Sequence, residues 1–384
     1  MLPMIYLDHN ATSPTRPGVA EAMLATLTRQ EGNPSSVHGP GRAARQTLDE
    51  ARRAVARLVN VHDSRVIFTS GGTEANHLAI LGVAEQAAFQ GTLITSAVEH
   101  PSVRMPCDKA EQRGMTVIRL PVDASGRIDP DQLETALTPD TRLVSIMAAN
   151  NETGVLQPVT EIGALCRAAG VPFHCDATQY AGKLPLQADA IPADLLTLSA
   201  HKLGGPKGCG ALIVGAAVQL TPQLLGGGQE RNRRSGTENL SGIAGFGAVA
   251  QLVAPRIEAE SLVLTALRQK LEEGLLKSVP DAVILGAQAP RLPNTTALAL
   301  PGVDGETLVM TLDLAGFAIS SGAACSSGKN TPSHVPLAMG LDHALTRSVT
   351  RISLGWDSTE HAVDRFIHAF HRSVDRLRKG SHFA

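Results

Sequence analysis

Aromatic side chains are rare in this chain: they make up 3% of its 384 residues, with one tryptophan and two tyrosines. Stacking on aromatic rings is a main way in which proteins hold single-stranded nucleic acid, so this class of function is disfavoured. An excess of charge is also missing, because 34 lysines and arginines against 36 acidic residues leave a net charge of −2. Without a basic surface, we expect neither a nucleic acid nor a membrane as a partner.

Cysteine is scarce as well, with five residues that form no C-x-x-C pair. This odd, scattered set indicates neither a disulfide framework nor a structural zinc site. The N-terminal residues MLPMIYLDHN lack the basic and apolar regions of a signal peptide, and no stretch reaches the ~18 to 20 apolar residues of a membrane span. These absences predict a cytoplasmic protein without a metal site.

Short aliphatic runs alternate with amphipathic segments over the first two thirds of the chain. The runs have the length and composition of buried strands, and they lie at 66–69, 92–95, 116–120, 143–147, 171–174, 195–198 and 212–214. Asp129 followed by Pro130 gives one intervening segment the cap and first residue of a helix. This alternation predicts an α/β fold with a mostly parallel sheet and right-handed crossovers.

The pattern changes beyond residue 255. We predict helices at 257–276 and 306–314 and strands near 282–285, 294–300, 317–320 and 349–354. A final helix is predicted after the capping sequence Asp357-Ser-Thr-Glu360, and its apolar face carries Val363, Phe366, Ile367 and Phe370. The chain would thus form a large domain over 15–255 and a smaller α/β domain from 1–14 and 256–384.

A Gly-Gly turn follows the first predicted strand of the large domain. Residues 70–74, with the sequence SGGTE, open a helix, so that free backbone N–H groups and the Thr73 hydroxyl converge at its positive end. This arrangement predicts an anion-binding site. The alternative is a plain connection between strand and helix.

A lysine and an aspartate follow two other predicted strands. Lys202 can be partly desolvated there, which favours the neutral amine that forms a Schiff base with a carbonyl cofactor. Lys207 in the next turn is the competing candidate. Asp176 can hold the protonated ring nitrogen of pyridoxal phosphate, or it can cap a helix instead. Because parallel strands end at one edge of a sheet, these residues and the anion-binding turn together predict a ligand crevice.

Further motifs run through almost the whole chain. They are YLDHNATSP (6–14), GNPSSVHGPGR (32–42), TSGGTEANHLAI (69–80), EHPSV (99–103), NNETGVLQPV (150–159), DATQ (176–179), SAHK (199–202), GPKGCG (205–210), GGGQE (226–230), RSGTEN (234–239), SSGAACSSG (320–328) and TRISLG (350–355). In these motifs the chain resembles the pyridoxal-phosphate-dependent cysteine desulfurases of the class-V aminotransferase group, which serve nitrogenase and general iron–sulfur cluster assembly. The resemblance implies fold type I of the pyridoxal-phosphate-dependent transferases.

The resemblance also implies how the cofactor is held. Lys202 would bond to it, Asp176 would partner the pyridine nitrogen, and Gln179 would donate to the ring hydroxyl. The phosphate would be held by small and polar residues, namely Gly72, Thr73, Ser199, His201 and, from the second subunit of a homodimer, Thr237.

Three more residues have implied roles around the cofactor ring. His100 would stack on the ring and move protons. Asn151 would orient the ring and the substrate, and Arg351 would bind the substrate carboxylate. A histidine on an apolar stretch is more often structural, but the motif around His100 favours the functional role.

Cys325 decides which reaction the resemblance implies. It lies in the run GAACSSG, whose small residues can reach into a site, and a thiol with a pKa of about 8.5 is already partly thiolate at pH 7. The implied reaction converts L-cysteine into L-alanine and leaves a persulfide on Cys325 for an acceptor protein such as an iron–sulfur scaffold. The other cysteines, Cys107, Cys166, Cys175 and Cys209, are expected to be small buried hydrophobic residues.

Two other interpretations stay open. A selenocysteine lyase or an aminotransferase of the same fold would keep Lys202 and Asp176 but would not need Cys325. A non-enzymatic iron–sulfur scaffold would use the cysteines as cluster ligands, which their scatter along the chain disfavours.

Three residues depart from the motifs of the family. Ser13 and His77 stand where Thr and Asn are usual, and both changes are conservative. Trp356 stands where an Arg is common. Because acceptor proteins dock near the C-terminus in relatives, Trp356 bears on which acceptor this chain serves.

Overall fold

A seven-stranded sheet forms the centre of the molecule, in a computed structural model that describes residues 4–186, 191–322 and 332–380. The described strands are β1 (Ile5–Tyr6), β2 (Val66–Thr69), β3 (Thr92–Ser96), β4 (Thr116–Leu120), β5 (Thr141–Ser145), β6 (Phe173–Asp176), β7 (Leu195–Ser199), β8 (Gly210–Val214), β9 (Val283–Ile284), β10 (Thr295–Ala299), β11 (Phe317–Ala318), β12 (Ser320–Ser321) and β13 (Thr350–Ser353). The central sheet has the order β2-β8-β7-β6-β5-β3-β4, in which β8 is antiparallel to both neighbours and the other pairs are parallel. The predicted mostly parallel sheet is therefore confirmed.

Helices cover both faces of this sheet and also pack on a smaller one. The described helices are α1 (Val19–Arg29), α2 (Gly39–Leu58), α3 (Gly72–Gln86), α4 (Pro101–Gln112), α5 (Pro130–Ala136), α6 (Val159–Ala169), α7 (Gln229–Asn232), α8 (Leu240–Val253), α9 (Ile257–Ser278), α10 (Gly305–Leu314), α11 (His334–Ala338), α12 (His343–Arg347) and α13 (Glu360–Gly380). The side chain of Asp129 caps α5, as predicted, by accepting the Asp131 N–H.

Except for the partly exposed edge strand β4, the strands of the central sheet are largely buried on both faces. Val66 and Phe68 of β2 pack in the core that contains α2 and α8, while Ile67 between them packs in the core that contains α3 and α4. This alternation follows from the pleat, which turns successive side chains to opposite faces. It also explains why these strands appear in the sequence as unbroken apolar runs.

One predicted strand is displaced in a way that matters for the site. The run 171–174 becomes β6, which starts only at Phe173. Gly170 adopts a left-handed conformation with φ of 66°, and the Val171 N–H bonds back to α6, so Val171 closes the helix. As a result Asp176 is the last residue of β6. The run 143–147 is likewise displaced and becomes β5, Thr141–Ser145.

The second sheet is antiparallel, with the order β12-β13-β10-β9. The strand predicted at 317–320 is in fact two strands, because β11 pairs in parallel with the N-terminal β1 whereas β12 pairs with β13. The N-terminal segment therefore packs with the C-terminal part of the chain. The domain boundaries near residues 15 and 255 stay a prediction.

The final helix covers this second sheet. The Thr359 hydroxyl accepts the Ala362 N–H at the start of α13. Along the helix Val363, Phe366 and Phe370 are buried in one cluster with α9 and α10, and Ile367 packs at its margin. The predicted apolar face is therefore confirmed.

The segment before α8 is held by a buried ion pair. Glu230 in α7 accepts two hydrogen bonds from Arg52 of α2, both at 2.7 Å, and one from the Phe68 N–H at 2.8 Å. Glu230 and the two residues after it have positive φ, so α7 is a left-handed turn. Removing either partner of such a pair leaves a buried charge, which typically costs about 3–5 kcal/mol.

The helical run Leu240–Ser278 is long and apolar enough to cross a membrane by length and composition alone. In the structure its first part, α8, is an inner helix of the protein. Phe246, Val249 and Val253 have no exposed surface and pack in the core that also contains α2. The apolar composition of this run is thus accounted for by burial inside the protein.

Candidate active site

The predicted site residues meet in one cavity of about 360 Å³. It is bordered by the ends of β6 and β7 and by the start of α3. Ten of the predicted residues line it: Gly72, Thr73, His100, Asn151, Asp176, Gln179, Ser199, His201, Lys202 and Arg351. The crevice expected at the ends of parallel strands is therefore present, while the role of each residue stays a prediction.

Lys202 enters the cavity from a single 3₁₀ turn, Ala200–Lys202, that directly follows β7. Its Nζ donates to the backbone oxygens of Asn10 at 2.6 Å and of Ala11 at 2.8 Å. Lys207, the competing candidate, is exposed and lies outside the described lining of the cavity. The geometry favours Lys202 as the amine that meets a cofactor.

Asp176 is buried at the end of β6. Its Oδ1 accepts the Thr178 N–H at 2.9 Å, and its Oδ2 accepts from the Asn76 side-chain amide at 2.8 Å. The first bond closes the turn after β6, and the described residues 177–186 contain no helix, so the alternative interpretation of Asp176 as a helix cap is wrong. The carboxylate lines the cavity, where its charge suits a protonated ring nitrogen.

Another part of the cavity suits an anion. Gly72 and Thr73 line it from the first turn of α3, where the helix presents unpaired N–H groups and a positive dipole end. Ser199 and His201 line it from the end of β7. Burial, together with two nearby lysines, lowers the pKa of His201 to about 4, so that its imidazole is neutral at pH 7.

Two buried polar atoms in the cavity wall lack partners. Neither Asn76 Oδ1 nor Thr178 Oγ1 has a hydrogen bond among the described residues. Because buried polar groups left unpaired are costly, a ligand that supplies their partners would be stabilised here. With a carboxylate for a ring nitrogen, a lysine for a carbonyl and a helix start for a phosphate, these residues fit pyridoxal phosphate.

His100 is the cap of α4. Its Nδ1 accepts the Ser102 N–H at 3.1 Å and lies 2.7 Å from the Ser102 hydroxyl. A backbone N–H can only donate, so the proton of the neutral ring is on Nε2. Burial lowers the pKa of His100, an effect opposed by the charge of Asp176 and reinforced by that of Lys202. The ring is therefore neutral at pH 7.

Arg351 lies on β13, at the margin between the two sheets. It donates to the Asn151 backbone oxygen at 3.0 Å and forms an ion pair with Asp8 at 2.8 Å. Its Nε is buried and has no partner among the described residues. This remaining N–H gives the predicted carboxylate-binding role a free donor.

Asn10 has no predicted role, although it lies in the motif YLDHNATSP. Asn10 lines the cavity, and its backbone oxygen accepts from both Lys202 and the side chain of Gln179, the latter at 3.0 Å. Its side chain bonds to Thr295 of the second sheet. Asn10 lies in the turn 9–11, and its sequence neighbours give no sign of these distant partners.

Glu99, next to His100, was also missed. It is fully buried, and its Oε1 accepts from the Ser96 hydroxyl at 2.7 Å and from the Met147 N–H at 2.9 Å. Burial, with a smaller contribution from the charge of Asp176, raises the pKa of Glu99 to about 8. The carboxyl group is thus protonated at pH 7, which residue type alone does not predict.

One predicted residue in the described part of the chain does not line this cavity. Thr237 is exposed and lines a separate cavity of about 170 Å³ with Ser70 and Arg234. Cys325 lies outside the described residues.

The remaining cysteines are buried, which confirms their interpretation as small hydrophobic residues; they are Cys107, Cys166, Cys175 and Cys209. Burial raises the pKa of each thiol, to about 12 at Cys107, Cys166 and Cys209. None of these four thiols is a thiolate near neutral pH.

Comparison with known proteins matches residues 5–366 to the family described as aminotransferase class-V. A cysteine desulfurase of Cereibacter sphaeroides is 44% identical over 99% of this chain and 98% of its own length. The structure of a NifS-like protein from Rickettsia africae has a TM-score of 0.88 and 36% identity, covering 97% of this chain and 99% of its own. A structure titled SspA in complex with cysteine has a TM-score of 0.82 and 34% identity, covering 91% and 98%.

The raised pKa of Glu99 predicts a pH dependence of stability. The native state keeps a proton that the unfolded state releases between pH 4.5, the ordinary value, and about 8. Stability of the wild type should therefore fall as pH rises through this window, and the fall should end above it. Glu99→Gln removes the titration, so its melting temperature should rise relative to wild type across the window. Melting curves from pH 4.5 to 9 measure this, with exposed Glu161→Gln as control; parallel curves for wild type and Glu99→Gln would contradict the assignment.

A second prediction concerns the lysine. Lys202→Ala should abolish the visible absorption band of the enzyme loaded with pyridoxal phosphate. The reason is that the described lining of the cavity contains no other lysine that could bond to the cofactor's carbonyl carbon. Lys207→Ala should keep the band. A band that survives in Lys202→Ala and disappears in Lys207→Ala would reverse the assignment.

Proposed function

The chain belongs to the class-V aminotransferase family, and we propose that it is a pyridoxal-phosphate-dependent cysteine desulfurase that supplies sulfur for iron–sulfur clusters or thiolated molecules. The observation that carries this proposal is the meeting of Lys202, Asp176 and the start of α3 in one cavity. The reaction takes L-cysteine and the Cys325 thiol to L-alanine and a Cys325 persulfide. Its atoms and electrons balance without an oxidant, since one C–S bond is replaced by one S–S bond and the proton of the thiol ends on carbon.

Each part of the cofactor has candidate residues in this cavity. Asp176 would hold the ring nitrogen, Gln179 the ring oxygen, and Lys202 the carbonyl carbon. The phosphate would lie at the start of α3, near Thr73 and His201. When bound, pyridoxal phosphate supplies an electron sink for the carbon atoms of the substrate.

Lys202 is suited to the transfer of a proton. When its amine is not bonded to another group, the backbone oxygens of Asn10 and Ala11 hold it at the cavity wall, within 2.6 and 2.8 Å of Nζ. Two carbonyl acceptors stabilise the amine after it has taken up a proton. We therefore assign the removal of the substrate's α-proton to Lys202.

His100 has a complementary role in the proposal. Its Nδ1 is occupied by Ser102, so only Nε2 can exchange a proton with a substrate. The lowered pKa keeps the ring neutral, with a proton to donate at Nε2. A neutral imidazole of this kind can stack on an aromatic ring and serve as a general acid.

Arg351 and Asn151 would hold the substrate carboxylate. The backbone oxygen of Asn151 already orients the guanidinium, and Asp8 fixes its far end. The unpartnered Nε and the Asn151 side chain then remain for a carboxylate. Bound in this way, an amino acid would place its α-carbon near the amine of Lys202.

The alternatives differ in their need for cysteine chemistry. A selenocysteine lyase or an aminotransferase would use the same cavity without Cys325. An iron–sulfur scaffold would need several accessible thiolates, whereas the four described cysteines are buried with raised pKa values. These thiols weigh against the scaffold.

The proposal includes a homodimer in the cytoplasm and an acceptor protein for the persulfide. Thr237 is exposed and does not line the cavity of its own chain, as expected of a residue that completes a partner's site. Trp356, which departs from the family's usual Arg, donates from Nε1 to the Pro14 backbone oxygen at 3.1 Å. It also lies 5.6 Å from the guanidinium of Arg16. This packing gives Trp356 a structural role in holding the segment that contains Pro14 and Arg16.

Cys325→Ala should separate cofactor chemistry from sulfur transfer. The variant should keep the visible band of the loaded enzyme and should still change that band when L-cysteine is added. Alanine and persulfide formation should fall together to background, because the proposed nucleophile is gone. The test measures alanine, sulfide and bound persulfide in one incubation with L-cysteine. Alanine released with free sulfide at the wild-type rate would instead favour the lyase.

Mixed dimers test whether Thr237 acts across the interface. Thr237→Ala should weaken cofactor binding about tenfold, the effect of losing one hydrogen bond to a charged group. Assayed at a cofactor concentration below the dissociation constant of the Thr237→Ala dimer, dimers that combine a Lys202→Ala chain with a Thr237→Ala chain should regain one complete site and exceed the activity of both parent dimers. If Thr237 served its own chain, or if the active species were a monomer by light scattering, mixing would restore nothing.

A further inference from the structure

A second lysine amine is buried beside Lys202, and the proposed reaction does not use it. Lys183 follows the turn after β6 and is 7% exposed. Its Nζ donates to Gln179 Oε1 at 2.6 Å and to Asn10 Oδ1 at 2.8 Å. Both acceptors are neutral amide oxygens, and the described residues provide no carboxylate within ion-pair distance of Nζ.

Burial of an amine without a counter-ion favours its neutral form. Burial accordingly holds the pKa of Lys183 well below its ordinary value, and the positive charges of Lys202 and Arg351 act in the same direction. A neutral amine has two N–H groups. Two acceptors within 2.8 Å satisfy both of them, so Lys183 fits its position as a pair of hydrogen-bond donors.

These bonds orient the amide of Gln179. Its Nε2 donates to the Asn10 backbone oxygen at 3.0 Å, and a carbonyl oxygen can only accept. Its Oε1 is taken by Lys183 on the opposite side. The amide then has one N–H without an acceptor among these bonds. Because Gln179 lines the cavity, this N–H can point into it.

We propose that Lys183 is a positioning residue: it holds the amide of Gln179 so that an N–H, and not the oxygen, faces the ring oxygen of the cofactor. This inference rests on the proposed function. Without the amine, Oε1 of Gln179 would be a buried acceptor with no donor, and the amide would turn toward other partners. The effect of Lys183 on the cofactor therefore passes through Gln179.

The test is a pH titration of the visible band in the enzyme loaded with pyridoxal phosphate. A donor to the ring oxygen favours its anionic form and thereby lowers the pH at which the band titrates. Lys183→Met, which keeps the length of the side chain but has no donor, should raise this midpoint by about one pH unit, a tenfold change in proton affinity. Lys277→Met, an exposed site on α9, is the matched control and should not move it.

A charge effect of Lys183 would shift the midpoint in the same direction, so the double variant decides between the two. Gln179→Ala alone should raise the midpoint about as far as Lys183→Met does. In the Gln179→Ala background, Lys183→Met should add nothing, since the residue it acts through is already gone. Additive shifts would show that Lys183 acts by charge and would overturn the proposal, as would an unchanged midpoint in Lys183→Met.

Two further measurements complete the design. Lys183→Gln keeps an N–H donor on a shorter side chain, so its midpoint should lie between those of wild type and Lys183→Met. It provides the comparison if Lys183→Met does not fold, and a midpoint equal to wild type in both single variants at position 183 would refute the role. Alanine formation by the wild type tests the proposed function separately, because the titration needs no substrate.

Discussion

The hydrogen bonds of Asn10 are the constraint on which the arrangement of the site depends. Its N–H and side-chain amide donate to Ser353 and Thr295 of the second sheet, at 3.0 and 2.8 Å. Its backbone oxygen accepts from Gln179 and Lys202 of the central sheet's crevice. Each buried polar group left without its partner would cost about 1–3 kcal/mol. The N-terminal segment therefore holds the two sheets at one separation, and the cavity between them keeps one shape.

Neutralisation of buried groups is the second feature of the site. Burial raises the pKa of Glu99 and lowers that of His100, of Lys183 and of His201. In every case the uncharged form is favoured, because a charge in a poorly solvated position is expensive unless it is paired. These four groups can thus act as hydrogen-bond donors and acceptors of defined direction. The charged side chains of the cavity lie where a group of opposite sign would bind: Asp176 for the ring nitrogen and Arg351 for the substrate carboxylate.

Local patterns predicted much of the fold. The run at 66–69 is a strand with the expected bounds, since a fully buried apolar run has few alternatives in a sheet covered on both faces. The run at 116–120 also has the expected bounds, although β4 is a partly exposed edge strand. Prediction failed where the pairing partner determines the bounds of a strand. The segment predicted at 317–320 contains two short strands that belong to different sheets. Within the site, Lys202 and Asp176 could be identified from their places after strands, while Glu99 and Asn10 could not. Their importance comes from partners far away in the chain.

The amino-acid sequence by itself determined the α/β architecture, the order of the motifs and the residue types that suit pyridoxal phosphate, because these depend on local periodicity and on side-chain chemistry. Only the tertiary structure decided which of the ionisable residues are neutral and which way the amide of Gln179 points. It also decided that Thr237 does not line the cavity of its own chain. The physical reason is that desolvation, electrostatic fields and hydrogen bonds act through space between residues that are far apart in the chain. Asn10 and Lys183, which are bonded to each other, are separated by 173 positions.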